Sequence, residues 1–130
     1  MSLKMILFIA AGGAVGAVGR YGVMNVVGQL HLFEKPFPLG TLAVNVLGSF
    51  ILGAIVEISA LYWSPSPEVR AMVVVGMLGA FTTFSTFSMD VYYLGTRGDM
   101  SGAWLYMALS IILGVGAFFG AIHLFRALFA

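Results

Sequence analysis

The sequence predicts an all-α integral membrane protein with four transmembrane helices per chain and a break in the third. Three observations carry that prediction. Of 130 residues 61% are hydrophobic and only 8% are charged, against about 25% charged in an ordinary soluble domain. The charges are so placed that residues 5–19, 36–56, 71–89 and 100–125 hold no Asp, Glu, Lys or Arg. A helix needs about 20 apolar residues to cross a hydrocarbon core of about 30 Å. Four such spans use most of the chain and leave almost nothing for a domain outside the bilayer, so residues 1–130 read as one domain.

The first helix is expected over 4–29, where the charge-free run continues past a single Arg20 through residues 21–30. Lys4 and the following alanines imitate a secretory signal. The apolar character persists through a glycine-rich segment, so a retained helix is expected rather than a cleaved peptide. The second helix, 38–63, follows the cluster Glu34, Lys35, Pro36 and Pro38 and stops before Ser64-Pro65-Ser66-Pro67. The third, 70–94, ends at the glycine-containing stretch 95–102, and the fourth covers 102–125. Proline and glycine clusters end helices, and links this short make sequential neighbours antiparallel. Tyr62, Trp63 and Trp104 fall at span ends, where amphipathic rings favour the headgroup level. Gly12 with Gly16, and Gly116 with Gly120, have the spacing that lets membrane helices approach closely.

Four spans put both termini and the link between helices two and three on one side of the membrane. That side holds Lys4, Arg70 and Arg126; the other holds Lys35 and Arg97, with Arg20 toward its end of helix one. Lys and Arg bias sets orientation. Here it is three against three, or three against two without Arg20, so the two orientations are nearly evenly matched. A net charge of +1 supplies no basic patch for nucleic acid. The absence of cysteine removes disulfides, thiolate metal sites and thiol nucleophiles. His31 and His123 have no metal-ligand spacing, and no nucleophile is paired with a base, so an enzyme is not expected.

Residues 79–88 differ from the rest of the chain: five hydroxyls and three phenylalanines stand where leucine and isoleucine would be the low-cost choice. Two readings are open. The hydroxyls can bond back to carbonyls one turn earlier. Alternatively, Gly79 followed by Thr82 and Thr83 marks a break whose freed backbone groups hold an ion at mid-membrane, which requires that the segment be buried in protein or line water. Phenylalanines presented edge-on would hold a small anion weakly, because the ring edge is positive, and conduction needs weak binding. In span two, Thr41, Asn45 and Ser49 recur at intervals of four and share a face. Asn45 offers two N–H donors to an ion or to a neighbouring helix. Tyr106 and Ser110 repeat that spacing in span four, where the next step is Gly114, without a hydroxyl. Arg20 is the deepest cation and serves either a vestibule or the interface. Asp90 falls at a pore entrance, and Glu57 is expected as a solvated or snorkelling carboxylate near the end of span two.

Taken together, Gly12-Gly13-Ala14-Val15-Gly16 with Arg20-Tyr21, then Gly40-Thr41-Leu42-Ala43-Val44-Asn45, then Gly79 through Ser88, resemble the small bacterial fluoride channels called Fluc or CrcB. The likeness covers the whole chain in length, span count and motif order. It implies a multi-pass protein of the bacterial inner membrane that forms an antiparallel, dual-topology homodimer in lipid. Each dimer would have two fluoride pores. The resemblance implies that Phe84, Phe87 and Asn45 line the pore with Thr41, Ser85 and Thr86, and that Tyr106 and Ser110 begin a polar track. It further implies that Gly79 and Thr82 hold a central structural sodium ion through their carbonyls, and that Arg20 and Asp90 lie at the vestibule. Asp90 departs from the family's usual glutamate and Gly114 from its usual hydroxyl. A small dual-topology proton-coupled multidrug transporter is the alternative. Such transporters depend on a glutamate in the first helix, where this chain has only Arg20.

Overall fold

In the computed structural model, which describes residues 1–130, the chain is helical almost throughout. The helices are α1 (Leu3–Gly28), α2 (Leu39–Leu61), α3 (Pro67–Thr96) and α4 (Met100–Phe129). All four are long and apolar enough to cross a membrane, which makes this a multi-pass membrane protein. The bounds lie one to four residues from those predicted, with local causes. Ser66 and Pro67, expected as breakers, form the start of α3: the Ser66 hydroxyl accepts from Val69 N–H at 3.3 Å, and Pro67 occupies the first turn, where its missing N–H costs nothing. Asp99 caps α4 the same way, accepting from Gly102 N–H at 3.0 Å. The α3–α4 turn contains Gly98 at φ 78°, the chain's one left-handed residue.

Helix α3 is not a single α-helix. It starts as one α turn, Pro67–Arg70, is π-helical over Ala71–Leu78 and returns to α over Gly79–Phe81. It breaks at Thr82 and Thr83 and resumes over Phe84–Thr96. The expected break is therefore present; the π-helical stretch was not foreseen.

Sequential helices run antiparallel, yet they are not each other's main partners. The dominant contacts are α1 with the first half of α3 and α2 with α4, two parallel pairs. Glycine makes the first pair possible. A Cβ on Gly12 or Gly16 would overlap the carbonyl oxygen of Met72 or Met77 respectively, and one on Gly76 would overlap that of Ile9. The backbones of α1 and the π-helical stretch thus touch directly, as small residues permit in lipid. Gly116 and Gly120, expected to act likewise, have no other helix within reach of a Cβ.

Both termini and the α2–α3 link gather at one end. Lys4 Nζ lies 3.3 Å from Glu68, and the Tyr62 hydroxyl donates to the Phe129 carbonyl. At the opposite end Leu42, Leu94, Ala103 and Tyr106 form the small core, packed around by Phe37, Val46, Phe87, Val91 and Leu109. Glu57 corrects an expectation: it is buried, and Arg126 grips it with two bonds, Nε to Oε1 at 2.8 Å and a terminal nitrogen to Oε2 at 3.1 Å. The longer α4 carries Arg126 to this carboxylate, and a buried carboxylate is tolerable only when paired in this way.

Candidate functional site

The break in α3 is held open by α2. Asn45 Nδ2 donates to the Thr83 carbonyl at 3.0 Å, and Asn45 Oδ1 accepts from Thr83 N–H at 2.7 Å. One side chain thereby satisfies both backbone groups of a residue that the helix has released, and backbone polar groups in an apolar interior need such a partner. Asn45 keeps its second Nδ2 hydrogen for another acceptor.

The hydroxyls around the break bond local backbone and one another. Thr82 donates to the Leu78 carbonyl at 3.0 Å and Ser88 to that of Phe84 at 3.0 Å. The Thr83 hydroxyl caps the resumed helix by accepting from Thr86 N–H at 3.1 Å, and it also meets the hydroxyls of Thr86 and Ser85 at 3.0 and 3.2 Å. The back-bonding reading therefore holds for Thr82 and Ser88, while Thr83, Ser85 and Thr86 bond one another and the broken backbone beside them opens onto a cavity.

That cavity, about 580 Å³, lies between α2, α3 and α4. Among the residues named from sequence, Asn45, Ser49, Gly79, Thr82, Thr83, Phe84, Phe87, Ser110 and Gly114 line it. Thr41, Ser85, Thr86 and Tyr106 do not, and both Thr41 and Tyr106 are buried within the chain. Phe84 and Phe87 have ring centroids 5.5 Å apart, and Phe87 lies 5.3 Å from Tyr106. Tyr106 meets Phe37 edge-on at 5.6 Å, and Phe37 packs on Phe33 at 4.7 Å. A ladder of five rings thus leads from the break to the α1–α2 link. Phe84, at its inner end, is 79% exposed, an uncovered apolar ring on the cavity wall.

Asp90 stands beside this ladder and accepts from the Tyr106 hydroxyl at 3.0 Å. It also borders a smaller pocket of about 200 Å³ with Arg97 and Pro36 to Pro38. Arg20 reaches the break itself: its guanidinium lies 3.5 Å from the Thr82 carbonyl oxygen. The Gly79 carbonyl has lost its usual donor one turn on, since Thr83 N–H is held by Asn45, while Thr82 N–H bonds Leu78. Carbonyls released from the helical ladder suit a hard cation, which prefers oxygen ligands, while the one on Thr82 already faces the Arg20 guanidinium. From one chain they are only part of such a shell.

The Glu57–Arg126 pair was missed in sequence. The available signal was one carboxylate in span two and one arginine at the end of span four, each without a local partner.

Residues 7–122 match the family described as "CrcB-like protein, Camphor Resistance (CrcB)". A protein of Rhodospirillum centenum named fluoride-specific ion channel FluC is 47% identical over 124 residues, covering 95% of this chain and 97% of that protein. Fluoride-specific ion channel FluC 1 of Nitrobacter hamburgensis is 41% identical over 128 residues, 98% of this chain and 100% of its own. A third, from Nitrobacter winogradskyi, is 43% identical over 128 residues, with the same coverage.

Proposed function

The chain belongs to the CrcB-like family of membrane channels, which are not enzymes, and we propose that it is a fluoride-selective channel of the bacterial inner membrane. Fluoride that crosses as neutral HF and ionises in the cytoplasm would leave passively down its gradient, which lowers its toxicity. The observation that carries this reading is the α3 break, where Asn45, Phe84 and Phe87 face one cavity. There the spare Asn45 N–H and the positive ring edges replace part of the anion's hydration shell, and no Lys or Arg lines the cavity to trap it. Thr41, Ser85 and Thr86 support the walls of this pathway, Tyr106 backs it behind Phe87, and Ser110 carries it along α4.

The working unit in this reading is an antiparallel, dual-topology homodimer in lipid, with two pores that each take a phenylalanine from both chains. The exposed ring of Phe84 supports it, because a second copy would cover that ring, and so does the nearly even Lys and Arg count across the membrane. Gly79 and Thr82 of both copies would hold a structural sodium ion at the dimer centre through their carbonyls. The ion would supply fixed positive charge that ties the two breaks together, and it is not transported. Arg20, beside the Thr82 carbonyl, and Asp90, beside Tyr106, shape the vestibules.

Electrode-detected efflux from proteoliposomes tests the assignment, comparing fluoride with chloride, with and without a pH gradient. Fluoride is expected to leave much faster than chloride and independently of the pH gradient. Equal rates, or uphill fluoride movement driven by protons, would overturn it.

A further inference from the structure

Helices α2 and α4 run parallel in one register. A Cβ on Gly53 would overlap the Phe118 carbonyl oxygen, and four residues earlier on both helices a Cβ on Gly114 would stand 4.0 Å from the Ser49 hydroxyl. One step earlier again, the same register sets Asn45 beside Ser110. Asn45, Ser49, Ser110 and Gly114 all line the 580 Å³ cavity. The cavity's other hydroxyls, on Thr82 and Thr83, are held by Leu78 and Thr86. Ser110 is different: its Oγ is buried and meets no hydrogen-bond partner. A buried hydroxyl left unpaired is costly, which marks a place where something else accepts its proton.

Beyond Ser110, toward the end where both termini lie, α4 offers the cavity Ile111, Gly114, Val115 and Phe118. None of these side chains can donate a hydrogen bond. The hydroxyl at that level comes from the opposite wall, on Ser49, and it looks into the space that a Gly114 side chain would fill. We infer that Ser49 and Ser110, across the α2–α4 seam, form a hydroxyl site for the permeating anion, with Ser49 serving in place of the side chain that Gly114 lacks. The inference rests on the channel reading above and adds Ser49 to it. Both groups are neutral O–H donors, so the anion is held by hydrogen bonds without a charge to trap it.

The test is fluoride efflux from proteoliposomes holding wild type, Ser49→Ala, Ser49→Thr, and Ser49→Ala combined with either Gly114→Ser or Gly114→Ala. Melting temperature and oligomer mass are measured alongside. Ser49→Ala should lower flux about tenfold, the rate equivalent of one lost hydrogen bond of ordinary strength, at unchanged melting temperature. Ser49→Thr should keep flux. Gly114→Ser should restore flux to Ser49→Ala, because it returns a hydroxyl to the same space from the other wall, and Gly114→Ala should not. Wild-type flux in Ser49→Ala, or equal flux in the two double variants, would overturn the site while leaving the channel standing. An absence of fluoride flux in the wild type would instead overturn the channel reading itself.

Discussion

Replacing Asn45 by leucine removes the bracket that holds the α3 break while keeping similar bulk. The Thr83 peptide then loses its donor at 3.0 Å and its acceptor at 2.7 Å together. Each backbone group left unpaired in a dry interior costs about 1–3 kcal/mol, hence roughly 2–6 kcal/mol for the pair. Side-chain hydrogen bonds between membrane helices average only about 0.6 kcal/mol, since the inserted unfolded chain finds other partners, which sets a floor near 1 kcal/mol. The larger range governs here because Thr83 is only 6% exposed and its peptide lies outside the helical ladder. A loss of about 3 kcal/mol is expected for Asn45→Leu, more than a hundredfold in the folding equilibrium. Denaturant unfolding of the purified protein in detergent reads this directly, with fluoride flux measured on the same preparation. A wild-type unfolding midpoint for Asn45→Leu would refute the bracket. Asn45→Asp is the companion variant: it keeps the acceptor for Thr83 N–H, sets an oxygen against the Thr83 carbonyl and, when ionised, repels an anion. Its flux should be abolished even where folded protein is recovered.

Phe84→Ile and Phe87→Ile should each cut fluoride flux sharply at a retained fold, since isoleucine keeps apolar bulk without the positive ring edge; flux that falls only in step with melting temperature would reduce both rings to packing. Gly16→Val sets a Cβ against the Met77 carbonyl oxygen and should destabilise the α1–α3 pair by about 1–3 kcal/mol, as overpacking does; an unchanged melting temperature would show that the backbone contact is dispensable. Arg126→Met strands the buried Glu57 carboxylate and should lower the melting temperature, whereas adding Glu57→Leu to it should recover most of the loss. A C-terminal tag should be reachable from both sides of the membrane, and a tag found on one side only would contradict dual insertion.

The four spans were legible because charge-free runs of the right length have few other uses in a sequence. Helix ends were less so: Ser66-Pro67 carries both a stop and a start signal, and only the Ser66 hydroxyl on Val69 N–H resolves which applies. The segment 79–88 stood out by composition, yet its pattern could not separate back-bonding hydroxyls from an opened backbone. Both occur there, at different atoms. Asn45 was visible as a lone amide on a polar stripe, but not its grip on Thr83. That grip depends on the depth at which α2 crosses α3, which no local pattern encodes. Glu57 and Arg126 were hidden for the same reason, since their meeting depends on the α2–α4 register and on α4 running on to Phe129.

The pairing of α1 with α3 and of α2 with α4 bears on how the chain is made. Each helix waits for one two places later before its main partner exists. At a synthesis rate of about 5–20 residues per second, the roughly 50 residues separating the end of α1 from the end of the π-helical stretch take several seconds to appear. Through that interval the glycine face of α1 has no backbone to lie against. Hairpin-by-hairpin assembly as the chain leaves the ribosome would therefore leave α1 and α2 each without its main partner. A nascent chain halted after α2 would hold two inserted helices without either principal partner, open to degradation or to capture by another chain. The arrival of α3, with its glycine contact to α1, is the step that commits the polypeptide to its own fold.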